Sequence, residues 1–400
     1  MTREPAWLYP SRLLDRSLRA RARRAVARRS ESLRRRVPPV LRIVREVSEV
    51  STATGRSAFT VGAEVVSAWL RDGIDPRQFA GYMLWDVARA ARRDFVRASE
   101  LDPFFAATTQ RADRALMLDK AGFAVHALSC GIPCLPTVAV INRCEGMEVP
   151  TAAVAAERAG LFEVLERVTA KGDVVLKPSV GKQGIGVYRV SHGGRVRDAD
   201  GQDVSMAALT ESVFAYRHPA GAYGYIVQPL LDSHPELVEL TGVTELSTLR
   251  VITAVREGVV HTVRAFLKIA APGRLTNNFR GGATGSLLTP LDPTSGRLGD
   301  LVGILRPENR FAIERTSTHP VTGRRVSGRE LPAWRDALDV AHRGALLHPR
   351  TATLGWDIVL GPAGWHVLEV NTSWGPGGPQ ASTCTGLRPE LARLFPEHWQ

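Results

Sequence analysis

The sequence predicts an α+β protein in which a helical N-terminal region precedes two lobes built on antiparallel sheets. Three observations support this prediction. Apolar residues recur every three to four positions between residues 40 and 130, a spacing typical of amphipathic helices. Beyond residue 170, short apolar runs are joined by glycine-rich turns, a pattern typical of hairpins. The chain has 400 residues, 44% of them hydrophobic, which is enough for two or three lobes.

Most of the net positive charge lies in the first fifty residues. They contain 14 arginines against five acids, about +9 of the net charge of +12, so the rest of the chain is nearly neutral. Residues 1–37 are therefore predicted to form a basic arm. One hypothesis is that residues 11–36 contact a polyanion such as an anionic membrane surface; the alternative is a solvated leader. No aromatic residue is interleaved in residues 11–36, so no specific nucleic-acid partner is expected.

Location is predicted from the absence of targeting signals. No apolar run approaches the 18 residues that a membrane helix needs, and no secretory signal is apparent. The four cysteines fit a reducing compartment, and the Cys130–Cys134 spacing lacks the histidine pair of a zinc site. A cytoplasmic protein is expected, with peripheral contact at the inner membrane surface if the basic arm binds there.

Helices are predicted around residues 40–50, 61–71, 76–98 and 112–130. Residues 38–117 would form a helical cap on a catalytic region that covers residues 118–394. Within that region, we expect a flap lobe at about 150–228 and a metal-binding lobe at about 229–394.

A glycine-rich loop follows the predicted strand of residues 173–177. Gly181, Gly184 and Gly186 allow the backbone to fold over an anion and direct N–H groups at it, and Lys177 leaves the strand to neutralise phosphate charge. A strand follows the loop at residues 187–190, so it is neither a Walker A loop nor a Rossmann turn. The alternative is a plain glycine hairpin. A helix is predicted before the strand, over residues 154–170.

The second half of the chain begins with a helix at residues 206–216 and a strand at 225–231. Residues 248–255 and 259–269 are then expected to form an antiparallel pair, in which Arg250 and Lys268 interrupt the apolar alternation, so each needs a partner. Residues 288–328 are predicted to be a long loop and residues 332–347 a helix.

Residues 355–378 are predicted to form two short strands joined by a Gly-Pro-Ala-Gly turn. Glu369 and Asn371 lie two apart on one strand and share a face, and Asp357 can join them from the neighbouring strand. Three hard oxygen donors suit Mg²⁺. The alternative is a solvent-facing hairpin with two ordinary acids, although a buried Glu369 would be costly without a cation.

These motifs resemble the ATP-grasp ligases. The resemblance lies in Gly-Trp-Asp-Ile followed by a hairpin and Leu-Glu-Val-Asn-Thr, and it extends over residues 118–394. His-Pro-Val-Thr-Gly at 319–323, with Trp334 and Trp356, is most similar to the sugar-transfer-associated branch of that superfamily, which is glutamate-ligase-like. The resemblance implies an ATP-grasp fold, with two α+β lobes that grip ATP between antiparallel sheets.

The resemblance also implies roles for particular residues. Lys120 and Lys177 would hold the nucleotide phosphates under the glycine flap, Gln228 and Leu230 would present the hinge strand to adenine, and Asp232, His234 and Glu236 are alternative ribose contacts. Arg250 and Lys268 would face the γ-phosphate and the acyl-phosphate. One of Asn277 and Asn278 belongs in the site, and the sequence does not say which. Asp357, Glu369 and Asn371 would hold two Mg²⁺ ions, with Mn²⁺ as an alternative metal.

The implied function is ATP-dependent carboxylate–amine ligation through an acyl-phosphate, which converts Mg-ATP to ADP and phosphate. Its substrates would be a small-molecule carboxylate and an amine, among amino acids, peptides or amino sugars. Two alternatives stay open at this point. One is a kinase that phosphorylates a sugar hydroxyl with His319 as the general base; the other is a non-catalytic nucleotide-binding module.

Overall fold

A computed structural model describes residues 40–142, 149, 152–155, 157–181, 184–216, 224–306 and 308–399, with the side chains of residues 40–42 left out. The predicted basic arm, residues 1–37 with its polyanion contact at 11–36, lies outside the described residues. The chain divides into two compact units, residues 1–62 and 63–400.

The described part of the first unit is helical. Helix α1 covers Val40–Thr54, and helix α2, Ala58–Asp72, begins in this unit and continues into the second. Val47 and Val50 of α1 are buried, whereas Arg45 and Glu49 form an ion pair four residues apart on the same helix. The apolar side of the helix is buried as its spacing predicted, and Glu46 and Glu49 are buried beside it.

Short helices follow at the start of the second unit. They are α3 (Pro76–Gly81), α4 (Ala98–Thr108), α5 (Arg111–Leu118) and α6 (Lys120–Ser129). Two 3₁₀ turns lie between α3 and α4, so the single helical stretch predicted over residues 76–98 is wrong. The stretch predicted over 112–130 is likewise two helices, because Asp119 has an extended backbone and caps α6 with its side chain.

The first lobe contains a seven-stranded sheet in the order β2-β1-β7-β3-β4-β5-β6, antiparallel except for the β1–β2 pair. Helices α7 (Gly160–Thr169) and α8 (Met206–Ala215) contribute to its core. The strands are β1 (Ala139–Ile141), β2 (Ala153–Ala155), β3 (Val174–Pro178), β4 (Tyr188–Val190), β5 (Val196–Asp198), β6 (Asp203–Val204) and β7 (Tyr225–Pro229). The helix predicted from residue 154 therefore begins only at Gly160, and a strand takes its first residues.

The second lobe contains a fully antiparallel seven-stranded sheet in the order β12-β11-β10-β9-β8-β13-β14. Helices α9 (Pro235–Thr241), α10 (Trp334–Leu346), α11 (Gly377–Thr383) and α12 (Arg388–Leu394) accompany it. Its strands are β8 (Thr248–Arg256), β9 (Val259–Ile269), β10 (Leu287–Pro290), β11 (Leu301–Gly303), β12 (Glu314–Thr316), β13 (Thr353–Gly361) and β14 (Gly364–Asn371). The prediction of a long loop over residues 288–328 was incomplete, because three short strands extend the sheet there.

Two antiparallel-rich sheets and a helical N-terminal region confirm the predicted α+β class. One core cluster lies against β8, β9, β13 and β14 under α10, and a separate cluster fills the first lobe under α7 and α8. In the described part of the chain, no helix combines the length and the apolar character needed to cross a bilayer.

Candidate active site

A cavity of about 440 Å³ lies between the two sheets. We call it the main cavity. Most of the predicted site residues line it: Lys120, Lys177, Gly181, Gly184, Gln228, Leu230, Lys268, Asn277, Asn278, Asp357 and Glu369. Arg250 and Asn371 do not contribute to its lining, but each makes a hydrogen bond to a carboxylate that does. Gly186 lies beside it, in the wall of a smaller cavity.

Strand pairing sets the predicted carboxylate, Asp357, in the middle of a charged row. Asp357 of β13 is directly opposite Glu369 of β14 on one side and Arg250 of β8 on the other. Opposed residues of neighbouring strands project from the same face of a sheet. The sheet therefore brings together Asp357 and Glu369, as the hairpin pattern predicted.

A β-bulge changes which side chains of β14 point to each face of the sheet. The register shifts between Asp357 and Ile358, so that Asp357 pairs with Glu369 while Ile358 pairs with Val367. Leu368 is the extra residue, and it lines the main cavity beside Glu369, whereas Val367 is fully buried in the core. Strict alternation along the strand would put Val367 on the same face as Glu369, and the bulge prevents this because it re-aims the side chains on either side of the extra residue.

Asp357 is held by two cations. Arg250 makes a bidentate contact, with Nε 2.8 Å from Oδ1 and Nη2 2.6 Å from Oδ2, and the Lys268 Nζ lies 2.8 Å from Oδ1. Burial alone would raise the pKa of Asp357, but Arg250 and Lys268 outweigh it and hold this pKa well below its ordinary value. Burial lowers the pKa of Lys268, and Asp357 offsets only part of that shift. The partners that Arg250 and Lys268 needed are thus the same carboxylate.

Glu369 is the second carboxylate of the cluster. Its Oε2 lies 3.6 Å from the Nζ of Lys120, and its Oε1 accepts a 3.3 Å hydrogen bond from the Asn371 Nδ2. That contact uses the amide nitrogen of Asn371 and leaves its carbonyl oxygen for another ligand. Asp357, Glu369 and Asn371 therefore offer oxygen donors in one place.

Lys120 is positioned by the start of α6. Its Nζ donates to the carbonyl oxygen of Gly181 at 3.0 Å, and its backbone N–H donates to the Ser179 carbonyl at 3.0 Å. Asp119 accepts from the N–H groups of Ala121 and Gly122 and from the hydroxyl of Ser179. The helix cap thereby ties the lysine to the first residues of the glycine loop.

Lys177 approaches the same cluster from the first lobe. It projects from β3 opposite Ile226 of β7 and is only 8% exposed. Burial lowers its pKa from 10.5 to about 8; the charge of Glu369 opposes the shift and that of Lys120 adds to it. A buried ammonium in a polar cavity gains most when an anion arrives, because its interaction with that anion is weakly screened.

The glycine loop rests on the second lobe. Gly184 has φ +68°, and a β-carbon there would lie 2.8 Å from Asn278 Nδ2 and 2.9 Å from Thr276 Cγ2. Gly186 has φ +74°, and a β-carbon there would lie 2.6 Å from the Tyr225 hydroxyl oxygen. Both positions thus need glycine for conformation and for space. The loop's Lys182 and Gln183 lie outside the described residues.

At the hinge, the structure refines the predicted nucleotide contacts. The N–H of Leu230 donates to the Asp173 carbonyl at 2.8 Å, so it already has a partner within the fold. Leu231, which the sequence did not suggest, also lines the main cavity. Of the three ribose candidates, only Asp232 lines this cavity, whereas His234 caps α9 by accepting from the N–H of Glu236.

The two adjacent asparagines have different environments. Asn277 donates through Nδ2 to the Leu246 carbonyl at 2.9 Å and to the Thr248 hydroxyl at 2.6 Å, so its amide nitrogen is used to hold its own loop. Asn278 lies against Gly184 at the tip of the glycine loop. Both line the main cavity, but the placement favours Asn278 as the residue nearer to a ligand under the loop.

Apolar and basic residues that sequence reasoning missed complete the main cavity. Leu135, Val175 and Leu368 supply an apolar part of the wall, and Arg189 and Arg197 line it on β4 and β5. Arg189 is directly opposite Val175 of β3, and Arg197 is directly opposite Arg189, so the three side chains lie on the same face of the sheet. No motif marks them, since they reach the cavity only because neighbouring strands pair in this register.

The oxygen donors fit a hard divalent cation. Among the described residues, no group of three or more His, Cys, Asp or Glu side chains could hold a metal ion. A metal here would therefore rely on Asp357 and Glu369 with the amide oxygen of Asn371. Two carboxylates with an amide oxygen, completed by water and phosphate, are the ligands that Mg²⁺ takes in nucleotide sites. The donor set thus suits Mg²⁺.

A family model described as sugar-transfer-associated ATP-grasp matches residues 109–394. The chain belongs to this family. The resemblance predicted from the hairpin, the glycine loop and the His-Pro-Val-Thr-Gly segment is confirmed, and with it the ATP-grasp fold. No curated protein matches this chain significantly.

Solved structures of ATP-grasp enzymes are similar to this family member at low identity. D-alanyl-alanine synthetase A from Vibrio cholerae is 12% identical over 71% of this chain and 63% of its own, with a TM-score of 0.40. VanG D-Ala:D-Ser ligase from Enterococcus faecalis is 12% identical over 71% and 62%, with a TM-score of 0.38.

The biotin carboxylase domain of Hydrogenobacter thermophilus 2-oxoglutarate carboxylase, in complex with MgADP and bicarbonate, is 11% identical over 65% of this chain and 40% of its own, with a TM-score of 0.35. The match thus spans less than two thirds of each of these three chains.

Proposed function

We propose that this ATP-grasp protein is an ATP-dependent carboxylate–amine ligase that works through an acyl-phosphate. The observation that carries the proposal is the cluster of buried charges at one end of the main cavity. There Lys177 of the first lobe faces Asp357 and Glu369 of the second, with Lys268 and Arg250 behind them. Such a cluster can neutralise a triphosphate and the charge that moves during phosphoryl transfer.

The proposed reaction has two steps. A carboxylate oxygen of the substrate attacks the γ-phosphorus, and the bond from that phosphorus to the β–γ bridging oxygen breaks, so ADP leaves with its electron pair. An amine then attacks the acyl carbon, the C–O bond to phosphate breaks, and the amine loses a proton. The products are an amide, ADP and phosphate. The substrates that we propose are small carboxylates and amines such as amino acids, peptides or amino sugars.

Each residue of the cluster has a proposed task in this chemistry. Lys120 and Lys177 hold the phosphates from the first lobe, and the backbone around Gly184 covers them. Arg250 and Lys268 turn part of their contact from Asp357 toward the transferred phosphoryl group. Asn278 orients that group from the loop that Gly184 touches.

Asp357, Glu369 and Asn371 would hold Mg²⁺, which would offset negative charge on the β- and γ-phosphates when bound with ATP. Two observations support this assignment: Asp357 and Glu369 are directly opposite each other on paired strands, and the Asn371 side chain donates through its Nδ2 to Glu369 while its amide oxygen is available to a ligand. Metal titration can test whether the site binds one or two ions and whether Mn²⁺ can replace Mg²⁺.

The free thiols of Cys130, Cys134 and Cys384 suit a reducing compartment that contains ATP, so we propose the cytoplasm as the location of the protein.

The kinase hypothesis loses its nominated base in this structure. His319 is 2% exposed, and its Nδ1 accepts hydrogen bonds from the N–H groups of Val321 and Thr322. Burial lowers its pKa, and it does not line the main cavity in the described structure. A base must reach the proton that it removes, and His319 is instead part of the turn of its own loop.

The test is release of ADP and phosphate from MgATP, with mass spectrometry of the products, while pools of amino acids, small peptides and amino sugars are supplied. Release that needs both a carboxylate and an amine, with a product lighter by one water than their sum, would establish the ligase. A product heavier by one phosphoryl group, without free phosphate, would establish a kinase instead. Tight MgATP binding without turnover in any pool would favour a binding module.

A further inference from the structure

The His-Pro-Val-Thr-Gly segment, residues 319–323, has no task in the proposed chemistry. It forms a closed turn on the second lobe. The His319 N–H donates to the Arg324 carbonyl at 2.8 Å, and the His319 Nδ1 accepts from the N–H groups of Val321 and Thr322. The shape of this turn is therefore held by its own hydrogen bonds.

Thr322 is the residue through which the turn contacts helix α9. Its hydroxyl donates to the carbonyl of Thr241 at 2.6 Å, and Thr241 is the last residue of that helix. A carbonyl at the end of a helix has no partner within the helix, so Thr322 supplies one. Gly242 follows with φ +72°, and a β-carbon there would lie 2.6 Å from the Thr322 Cβ. Thr322 thus packs directly on the backbone that ends α9.

The chain runs from the end of α9 into the wall of the main cavity. We call residues 243–248 the wall segment. The Thr241 hydroxyl accepts the N–H of Val243, the first residue of this segment, at 3.2 Å. Four residues of the wall segment line the main cavity: Thr244, Glu245, Leu246 and Thr248. The helix end that Thr322 holds is therefore the starting point of this wall.

The wall segment leads into the charged cluster. It ends at Thr248, the first residue of β8, and Arg250 projects from the same face of that strand to pair with Asp357. The Nδ2 of Asn277 donates to the Leu246 carbonyl at 2.9 Å and to the Thr248 hydroxyl at 2.6 Å. A displaced wall segment would therefore disturb the strand that carries Arg250.

Glu245 connects the wall segment to the loop that follows β9. Its Oε1 accepts the N–H of Gly273 at 2.6 Å. Gly273 lines the main cavity, as do Arg274 and Leu275 after it. Contacts thus run without a break from the turn of residues 319–323, through the end of α9, to two neighbouring parts of the cavity wall.

We propose that Thr322 is a positioning residue for nucleotide binding: through Thr241 it fixes the wall segment against which MgATP binds. Its effect is indirect, because Thr322 itself does not line the main cavity in the described structure. This inference rests on the proposed function for the identity of the ligand. Whether Thr322 fixes the wall segment can be measured without any nucleotide.

The first test is hydrogen–deuterium exchange of the ligand-free protein. Thr322→Val keeps the shape of the side chain and removes the hydroxyl, whereas Thr322→Ser keeps the hydroxyl. We expect Thr322→Val to speed exchange at the amides of residues 243–248 and 273–278 about fivefold, and Thr322→Ser to leave it within about twofold. Faster exchange only within residues 319–324, or no change anywhere, would overturn the proposal.

Thr289→Val is the matched control for a general loss of stability. The Thr289 hydroxyl is buried in the same sheet and donates to the Gly299 carbonyl at 2.8 Å, and Thr289 does not line the main cavity in the described structure. This variant should lose a hydrogen bond of the same kind without changing exchange in the wall segment. If it changes that exchange as strongly as Thr322→Val does, destabilisation explains the effect and the positioning role is wrong.

The second test measures the Kd of MgATP by isothermal titration calorimetry. Thr322→Val should raise it about tenfold, and Thr322→Ser and Thr289→Val should leave it within about twofold. Once turnover is found, the KM for ATP should rise by the same factor in Thr322→Val while kcat stays within about twofold, because only the binding wall has moved.

An unchanged Kd in Thr322→Val, despite faster exchange in the wall segment, would refute the role in nucleotide binding. If the wild type binds no MgATP at all, the proposed function itself fails. The exchange result would then still decide whether Thr322 fixes the wall segment.

Discussion

Replacing Lys177 with methionine should stabilise the ligand-free protein and abolish its response to ATP. Lys177 is an ammonium group buried on β3, and burial lowers its pKa from 10.5 to about 8. A lowered lysine pKa means that the folded state disfavours the charged form relative to the unfolded chain. Methionine has a similar unbranched shape and no charge, so the substitution removes this cost and keeps the packing.

The size of the stabilisation follows from the pKa shift of Lys177. Each pKa unit corresponds to about 1.4 kcal/mol, so at pH 7 the charge on Lys177 costs the folded state about 3 kcal/mol at most. Between pH 8 and pH 10.5, the unfolded chain binds the proton that the folded protein has lost, so the stability of the wild type rises with pH in that window. The advantage of Lys177→Met should therefore fall to less than half of its value by pH 9.5.

Urea unfolding of both proteins at pH 7.0 and pH 9.5 measures this difference, and MgATP is then added at pH 7.0. MgATP should raise the midpoint of the wild type and not that of Lys177→Met. Lys171→Met serves as the control, because Lys171 is exposed and should change neither stability nor the ATP response. Equal stabilities of wild type and Lys177→Met at pH 7.0, or a difference that does not shrink at pH 9.5, would refute the buried-charge explanation.

Three further substitutions test the rest of the cluster. Glu369→Ala should abolish ATP turnover while circular dichroism shows an unchanged fold; continued turnover would sink its assignment as a metal ligand. Asp357→Asn leaves Arg250 without its charged partner and should destabilise the fold by about 3 kcal/mol at pH 7. Because the folded pKa of Asp357 is depressed, that loss should persist at pH 4 and shrink only as the pH falls further, which urea unfolding at pH 7, pH 4 and pH 2.5 can check. Gly184→Ala, strained at φ +68° and crowded by Asn278, should raise the KM for ATP about tenfold; an unchanged KM would contradict a closed glycine loop over the phosphates.

The parts of the site that lie close together in the sequence could be predicted. The hairpin that carries Asp357 and Glu369 is a local structure, with alternating residues and a tight turn, and its strands pair as the pattern indicated. The glycine loop after Lys177 was predictable for the same reason. What local pattern could not show is the extra residue Leu368, because a bulge changes the spacing without any distinctive residue type.

Contacts between distant segments could not be derived from the sequence. Arg250 and Lys268 were expected to need partners, but only the folded sheet shows that both partners are Asp357. Strand β8, which carries Arg250, pairs with β13 on one side and with β9, which carries Lys268, on the other. The turn of β5 and β6 is polar and short, so nothing local indicates that Ala199 reaches the loop of Leu275. That contact forms only when both lobes are folded.

The clasp of Arg250 and Lys268 on Asp357 has a consequence for the order of assembly. Carboxylates that have no counter-charge other than a metal ion repel one another in the metal-free protein, and many proteins with such sites fold only when the metal is bound. Here the counter-charges are built into the neighbouring strands, so the second lobe can reach its native state before it meets any ligand. We therefore expect the chain to fold to the same extent with and without Mg²⁺ in the buffer. When a phosphate ligand binds, Arg250 and Lys268 would exchange part of their contact with Asp357 for contact with the phosphate. A chelator that removes Mg²⁺ should therefore stop ATP turnover while leaving the protein folded.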